Sequence, residues 1–253
     1  MLKNLLRFAR KDAPGEIGFS YVARDADSPM QGVEVGVVVD VGDGAPPWIV
    51  VDEAPTTAIV ARWPGRLWKV EILRSAPAKD QPMSYARYKR ALAVRVLDEV
   101  STASLFGEHG HQVSAILEIA ASLSRESAAS LSPARHPRAP EAYDQVFRSW
   151  IQFEDLDLDF EGSLDGVLKV GSKPHGSPIY DGLCVLDTVV SNRAKAVEGD
   201  AANSIEDGEV ILREPWRGAC TVLSDAALAL GAPSFVTDEN RKILLSGWDS
   251  FST

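Results

Sequence analysis

Short runs of β-branched residues, separated by glycine and proline, fill residues 17–74 and constrain the fold most strongly. The clearest runs are residues 33–41 and 67–73, and shorter ones lie at 48–52 and 58–63. Such runs favour pleated strands. The glycines and prolines between them are typical of turns. The pattern predicts a meander of four or five antiparallel strands.

Two helical stripes follow this β-rich segment. Tyr85, Tyr88, Leu92, Val96 and Val100 recur at spacings of three and four, which is the period of a helix face. A second stripe covers residues 113–123, after a short polar break at 107–111. The short break predicts a helical hairpin that packs on the sheet.

Residues 127–140 (SAASLSPARHPRAP) combine small residues with three prolines and predict a linker. We therefore expect domains at residues 1–126 and 141–253. In the second domain, helices are predicted to begin near Glu141, Pro178, Pro215 and Asp238, with a strand at 153–160. The predicted class is α+β: an N-terminal antiparallel β-meander covered by a helical hairpin, followed by an acidic α+β module.

Charge divides the chain near the same place. The first 138 residues carry 17 Lys and Arg against 16 Asp and Glu, and the remaining 115 carry 9 against 20. This asymmetry favours a basic partner and disfavours nucleic acid or an anionic membrane as a ligand of the acidic half. No apolar run reaches the roughly 18 residues that a membrane span requires.

Localisation is predicted to be cytoplasmic. Basic residues interrupt the apolar ones throughout residues 1–11, which argues against a signal peptide. Cys184 and Cys220 are too few for a disulfide framework.

Carboxylates are most concentrated just after Trp150. They alternate with Leu156, Leu158 and Phe160, so the spacing predicts a strand with one buried and one acidic face. A calcium loop needs a glycine where Phe160 stands and a glutamate where Gly166 stands. The alternatives are a solvated acidic strand and a docking strip for a basic protein. The residues assigned to this acidic strip are Glu154, Asp155, Asp157, Asp159 and Glu161.

Aromatic residues are candidate anchors for the same partner. Trp63 and Trp68 bracket a turn that also carries Arg66, and Trp150 precedes the acidic strip. Tryptophan and arginine are enriched in binding hot spots. We therefore include these four residues in the predicted partner-binding set.

A metal site has weaker support. His109 and His111 form a close pair, and Glu118 lies two helical turns beyond His111. A catalytic zinc takes three protein ligands and keeps one open position, but no H-E-x-x-H or C-x-x-C motif accompanies the pair. A polar loop leading into a helix is the favoured interpretation, and no cofactor is predicted.

The sequence therefore favours a non-enzymatic, cytoplasmic protein-binding protein that docks a basic partner through an acidic face. Immunity proteins, antitoxins and assembly or maturation accessories belong to this class. No nucleophile elbow, phosphate loop or dinucleotide fingerprint is present. A metal-dependent hydrolase with dispersed ligands is the alternative, and a constitutive subunit of a larger complex is a third hypothesis.

Overall fold

The chain begins with strands, continues with helices and carries a separate two-stranded hairpin. The computed structural model describes residues 15–42, 46–58, 60, 62–82, 86–153, 178–206 and 208–252. The strands are β1 (Glu16–Ala23), β2 (Val38–Asp40), β3 (Ile49–Asp52), β4 (Gly65–Ser75), β5 (Tyr88–Val100), β6 (Asn203–Glu206) and β7 (Glu209–Leu212). The helices are α1 (Gly110–Ser122), α2 (Arg125–Leu131), α3 (Ala139–Phe153), α4 (Pro178–Glu198), α5 (Trp216–Gly231) and α6 (Asp238–Ser252). The fold is α+β, as predicted.

Four of the first five strands close into a small antiparallel barrel. β1 pairs with β4, β4 with β5, β5 with β3, and β3 returns to β1 where Phe19 faces Asp52. β2 also pairs with β5. The predicted antiparallel sheet is confirmed, but the strands are not ordered as a meander. Closure brings β1 beside β3 and β4 and covers strand edges that a meander leaves open.

The prediction of a first helix in the helical hairpin is wrong, because residues 88–100 form the long strand β5. The register between β4 and β5 skips Leu92 and Leu97, which places β-bulges there. A bulge adds one residue and shifts the inward phase of the strand. Ala91 and Val94 therefore both face the barrel interior although they are three residues apart. The predicted stripe of Tyr88, Leu92, Val96 and Val100 has a spacing of four, which fits the two-residue period of a strand as well as a helix face.

The structure also differs from the prediction at two other expected strands. Only Val38–Asp40 is a strand within residues 33–41, and Gly36 before it has a φ of +88°. The described residues of 58–63 follow a 3₁₀ turn at Pro55–Thr57 and form no strand. Ala58 and Val60 instead pack into the helical core.

Two hydrophobic cores result from the alternation along the barrel strands. Trp68 and Val70 face the barrel interior with Ile49 and Val94. Leu67, one residue before Trp68, points the other way into the core formed by the helices. The barrel thus has its own interior and shares its outer face with the helices.

Residues 127–140 belong to the helical core and are not the exposed linker that their composition predicted. Ala128, Leu131 and Ala139 are fully buried within that core. Arg135 donates two hydrogen bonds, of 2.8 and 3.0 Å, to the buried carboxylate of Asp225 on α5. The prolines mislead because Pro133 and Pro140 occupy first-turn positions of helical segments, where the missing N–H costs nothing.

The later helices match their sequence signals. Pro178 begins α4, Gly199 follows its last residue with a φ of +63°, and α5 and α6 have the predicted positions. The predicted strand at 153–160 lies outside the described residues, except that Phe153 ends α3. None of the described helices is long and apolar enough to cross a membrane.

Candidate protein interface

The proposed metal ligands do not form a described site. His109 is the N-cap of α1, His111 lies in its first turn, and Glu118 is further along the same helix. Among the described residues, no group of three or more His, Cys, Asp or Glu side chains is placed to hold a metal ion. The five carboxylates of the acidic strip lie outside the described residues.

Two of the predicted aromatic anchors are core residues. Trp68 and Trp150 are each 1% exposed, the first inside the barrel and the second in the helical core. Trp150 packs edge-on against Phe147, with ring centroids 5.5 Å apart. Both rings are therefore removed from the predicted partner-binding set. Residue type alone did not reveal which face of each element they occupy.

The residues of the turn between Trp63 and Trp68 pack against other residues of this chain. Trp63 is half-buried, and its ring centroid lies 5.7 Å from that of Phe106. Arg66 stacks its guanidinium 4.2 Å from the centroid of Trp68 and donates hydrogen bonds of 2.8 and 2.6 Å to Glu99. These hydrogen bonds raise the pKa of Arg66 and lower the pKa of Glu99. The two tryptophans do not form one exposed aromatic tip.

The hairpin of β6 and β7, residues 203–212, contains none of the residues predicted as sites and is here called the acidic hairpin. Its strands pair in register, with Ile205 opposite Val210 and Glu206 opposite Glu209. The turn contains Gly208, whose φ of +85° is a conformation that glycine adopts without strain. Asp-Gly between short apolar runs is a strong hairpin signal. Each strand has only four residues, so the signal was easily missed.

The acidic hairpin is anchored at its base and exposed at its end. Ala202 is fully buried, and Leu212 packs against the helical core. Ile205 and Val210, further from the base, are 78% and 72% exposed. Because they are directly opposite each other, both side chains project from the same face of the hairpin. This face presents an apolar pair to solvent.

Acidic residues flank that pair along the sequence. Residues 196–212 contain five Asp and Glu and no Lys or Arg. Glu206 accepts a hydrogen bond of 3.1 Å from the Ser204 hydroxyl. Neither Glu206 nor Glu209 forms an ion pair with any described residue. Like charges directly opposite each other on paired strands are destabilising, so these carboxylates would gain from a cationic neighbour.

Buried ionisable groups lie elsewhere. Burial raises the pKa of Asp52, on β3, from 3.8 to about 7. Burial also raises the pKa of the Cys220 thiol to about 12, so this cysteine is a poor nucleophile. These two groups belong to separate regions of the fold and do not combine with the acidic hairpin into one site.

No protein-family model, curated protein or solved structure matches this chain. Its function must therefore be argued from its own residues. The acidic hairpin combines exposed apolar side chains with carboxylates that form no ion pair with a described residue.

Proposed function

We propose that this chain is a non-enzymatic, cytoplasmic protein-binding protein, and that the acidic hairpin docks a basic partner protein. Immunity proteins, antitoxins and assembly or maturation accessories are the class to which we assign it. One observation carries the proposal: the exposed Ile205–Val210 pair lies within a segment that contains acids and no base.

The apolar pair would supply the anchor. Burying an isoleucine or valine side chain contributes about 1.5–3 kcal/mol relative to leaving it exposed. Single exposed apolar residues are ordinary on protein surfaces. Two β-branched residues directly opposite each other on a hairpin form a well-defined apolar surface that a partner can contact.

The carboxylates would supply steering and specificity. Complementary charge chiefly raises the association rate and disfavours wrong partners. A Lys or Arg placed near Glu206 and Glu209 would also relieve the repulsion across the strands. Phosphate groups of nucleic acid or of anionic lipids would add to that repulsion.

The acidic strip of residues 154–161 remains part of the proposal as a second steering surface. Its neutralisation by Asp155→Asn, Asp157→Asn and Asp159→Asn together should slow association with a basic partner. Association at the wild-type rate would remove the strip from the docking site. The alternative of a metal-dependent hydrolase has no described ligand cluster to support it.

Comparative capture from a lysate of the native host tests the proposal. The immobilised full-length chain is compared with an Ile205→Ser/Val210→Ser variant, and the retained proteins are quantified by mass spectrometry at low and high salt. The matched control is Val35→Ser/Val38→Ser, which removes two other valines that are 56% and 49% exposed.

We expect a basic protein to be retained by the wild type and by the control, to be lost from the hairpin variant, and to be weakened by high salt. Equal retention by all three chains, or no protein retained above the bare matrix, would overturn the proposal.

A further inference from the structure

The acidic hairpin has two open strand edges. β6 and β7 pair with each other and with no other described strand, whereas the barrel strands belong to a separate sheet. An unpaired edge presents N–H and C=O groups that can pair with another chain. The available groups on each edge can be identified from the register.

One backbone hydrogen bond fixes the alternation of the ladder. The N–H of Arg213 donates to the carbonyl of Ala202 at 2.9 Å, so these residues form a hydrogen-bonded pair. In an antiparallel ladder, hydrogen-bonded and non-bonded pairs alternate. The pair of Ile205 and Val210 is then non-bonded, as is the pair of Asn203 and Leu212. The backbone groups of these four residues point away from the partner strand.

The two edges are not equally open. On β6, the outward N–H of Asn203 donates to the carbonyl of Asp200. On β7, the outward groups of Val210 and Leu212 hydrogen-bond to no described residue. The edge of β7 therefore offers two successive outward residues, one at the exposed end and one at the anchored base.

We propose that the basic partner docks by adding an extended strand to the edge of β7. This inference rests on the proposed function and specifies how its docking surface is used. The added strand carries Lys or Arg on the face of Glu209 and apolar residues on the face of Val210, because side chains alternate along a strand. A second copy of this chain paired parallel and in register is disfavoured, since that pairing of β7 with β7 would bring Glu209 of both copies together.

Proline substitution distinguishes the contribution of the backbone edge to binding from that of the side chains. Val210→Pro removes an outward N–H and leaves the ladder to β6 intact, because residue 210 donates no bond across the hairpin. Val210→Ala is the matched control, because it also removes the valine side chain but keeps the backbone N–H. Ile205→Pro and Ile205→Ala form the corresponding pair on the β6 edge.

The capture assay from host lysate at low salt is the readout. Val210→Pro should retain about tenfold less of the basic protein than Val210→Ala, since a partner carbonyl loses its donor. Ile205→Pro should match Ile205→Ala. If wild type shows hairpin-dependent retention but Val210→Pro equals Val210→Ala, strand addition at β7 is overturned while the proposed function stands. A proline effect confined to residue 205 overturns it in the same way. No retention by wild type overturns both.

A measurement on the unmodified chain covers the case in which the proline variant distorts the hairpin. Amide hydrogen exchange of the wild type is followed with and without the purified captured protein. Binding should slow exchange at Val210 and Leu212 by tenfold or more and leave Ile205 unchanged. Unchanged exchange at Val210 and Leu212 in the complex would contradict strand addition.

Discussion

The barrel and the acidic hairpin are both antiparallel and rich in β-branched residues, but they treat their charges and edges in opposite ways. In the barrel, Glu71 faces Arg95 across paired strands, and the two side chains form a 2.6 Å ion pair. In the hairpin, Glu206 faces Glu209. The barrel closes on itself, whereas the hairpin leaves both edges unpaired among the described strands.

The difference separates side chains that stabilise the fold from side chains that need a partner. Ion pairs between barrel strands, such as Lys89 with Glu16 and Arg66 with Glu99, balance the charge of the barrel surface from within the chain. The hairpin has no base within its strands. The ion pairs of the barrel are explained by the stability that they give the fold. The acidic residues of the hairpin, which have no base beside them, are not explained in this way.

The largest expected contrast lies in large-to-small substitutions. Trp68→Ala should lower the free energy of unfolding by about 3–5 kcal/mol, because it empties part of the barrel interior. Ile205→Ala should change it by less than about 0.5 kcal/mol, because the side chain is already in water. Urea unfolding of both variants measures the two effects. Equal losses would mean that the hairpin is a structural element like the barrel.

Asp52 sharpens the comparison, because it is a barrel carboxylate buried without an ion-pair partner among the described residues. Its pKa of about 7 exceeds the ordinary value of 3.8, so the folded chain binds this proton more tightly than the unfolded chain. The resulting stabilisation is complete below the unfolded pKa and is lost as pH rises through the folded pKa. Asp52→Asn cannot ionise and should exceed wild type by up to about 4 kcal/mol at pH 8.

Urea unfolding at pH 5 and pH 8 checks this expectation, with exposed Asp98→Asn as the control. The control should keep the wild-type pH dependence between these values, and Asp52→Asn should lose most of it. If Asp52→Asn and wild type lose stability in parallel, Asp52 is not the group responsible.

Charge removal should have opposite signs in the two regions. Glu71→Gln breaks a cross-strand ion pair and should destabilise the barrel by about 0.5–1 kcal/mol. Glu206→Gln relieves a like-charge pair and should stabilise the hairpin by a few tenths of a kcal/mol. Urea unfolding reports the first effect, and amide exchange at Ile211 reports the second. The same sign at both positions would break the comparison.

Elements whose boundaries are marked by local residues were predicted correctly from the sequence, and features that depend on tertiary packing were not. Helices α4 and α5 were predictable because proline at their starts and glycine at their ends mark the boundaries. Strand β5 was not, because Tyr88, Leu92 and Val96 are spaced by four residues, which fits both a helix face and one side of a strand. The buried positions of Trp68 and Trp150 depend on tertiary packing, which local sequence does not specify.

The candidate interface was only partly visible in the sequence. The excess of acid in the second half was evident from composition, and the Asp-Gly turn was present in the chain. The pairing that places Ile205 opposite Val210 and Glu206 opposite Glu209 became clear once the register was known. Exposure, which distinguishes an anchor from a core residue, also required the fold.

Charge reversal at the hairpin, compared with an equal reversal on the barrel, tests the central claim most directly. Glu206→Lys/Glu209→Lys is compared with Asp27→Lys/Glu53→Lys, which changes the net charge by the same amount at exposed barrel residues. Both are measured by quantitative capture from host lysate at low salt. We predict that the hairpin variant loses the basic protein that wild type retains, while the barrel variant keeps most of it. Equal loss from both variants would show that overall charge, and not the acidic hairpin, determines binding.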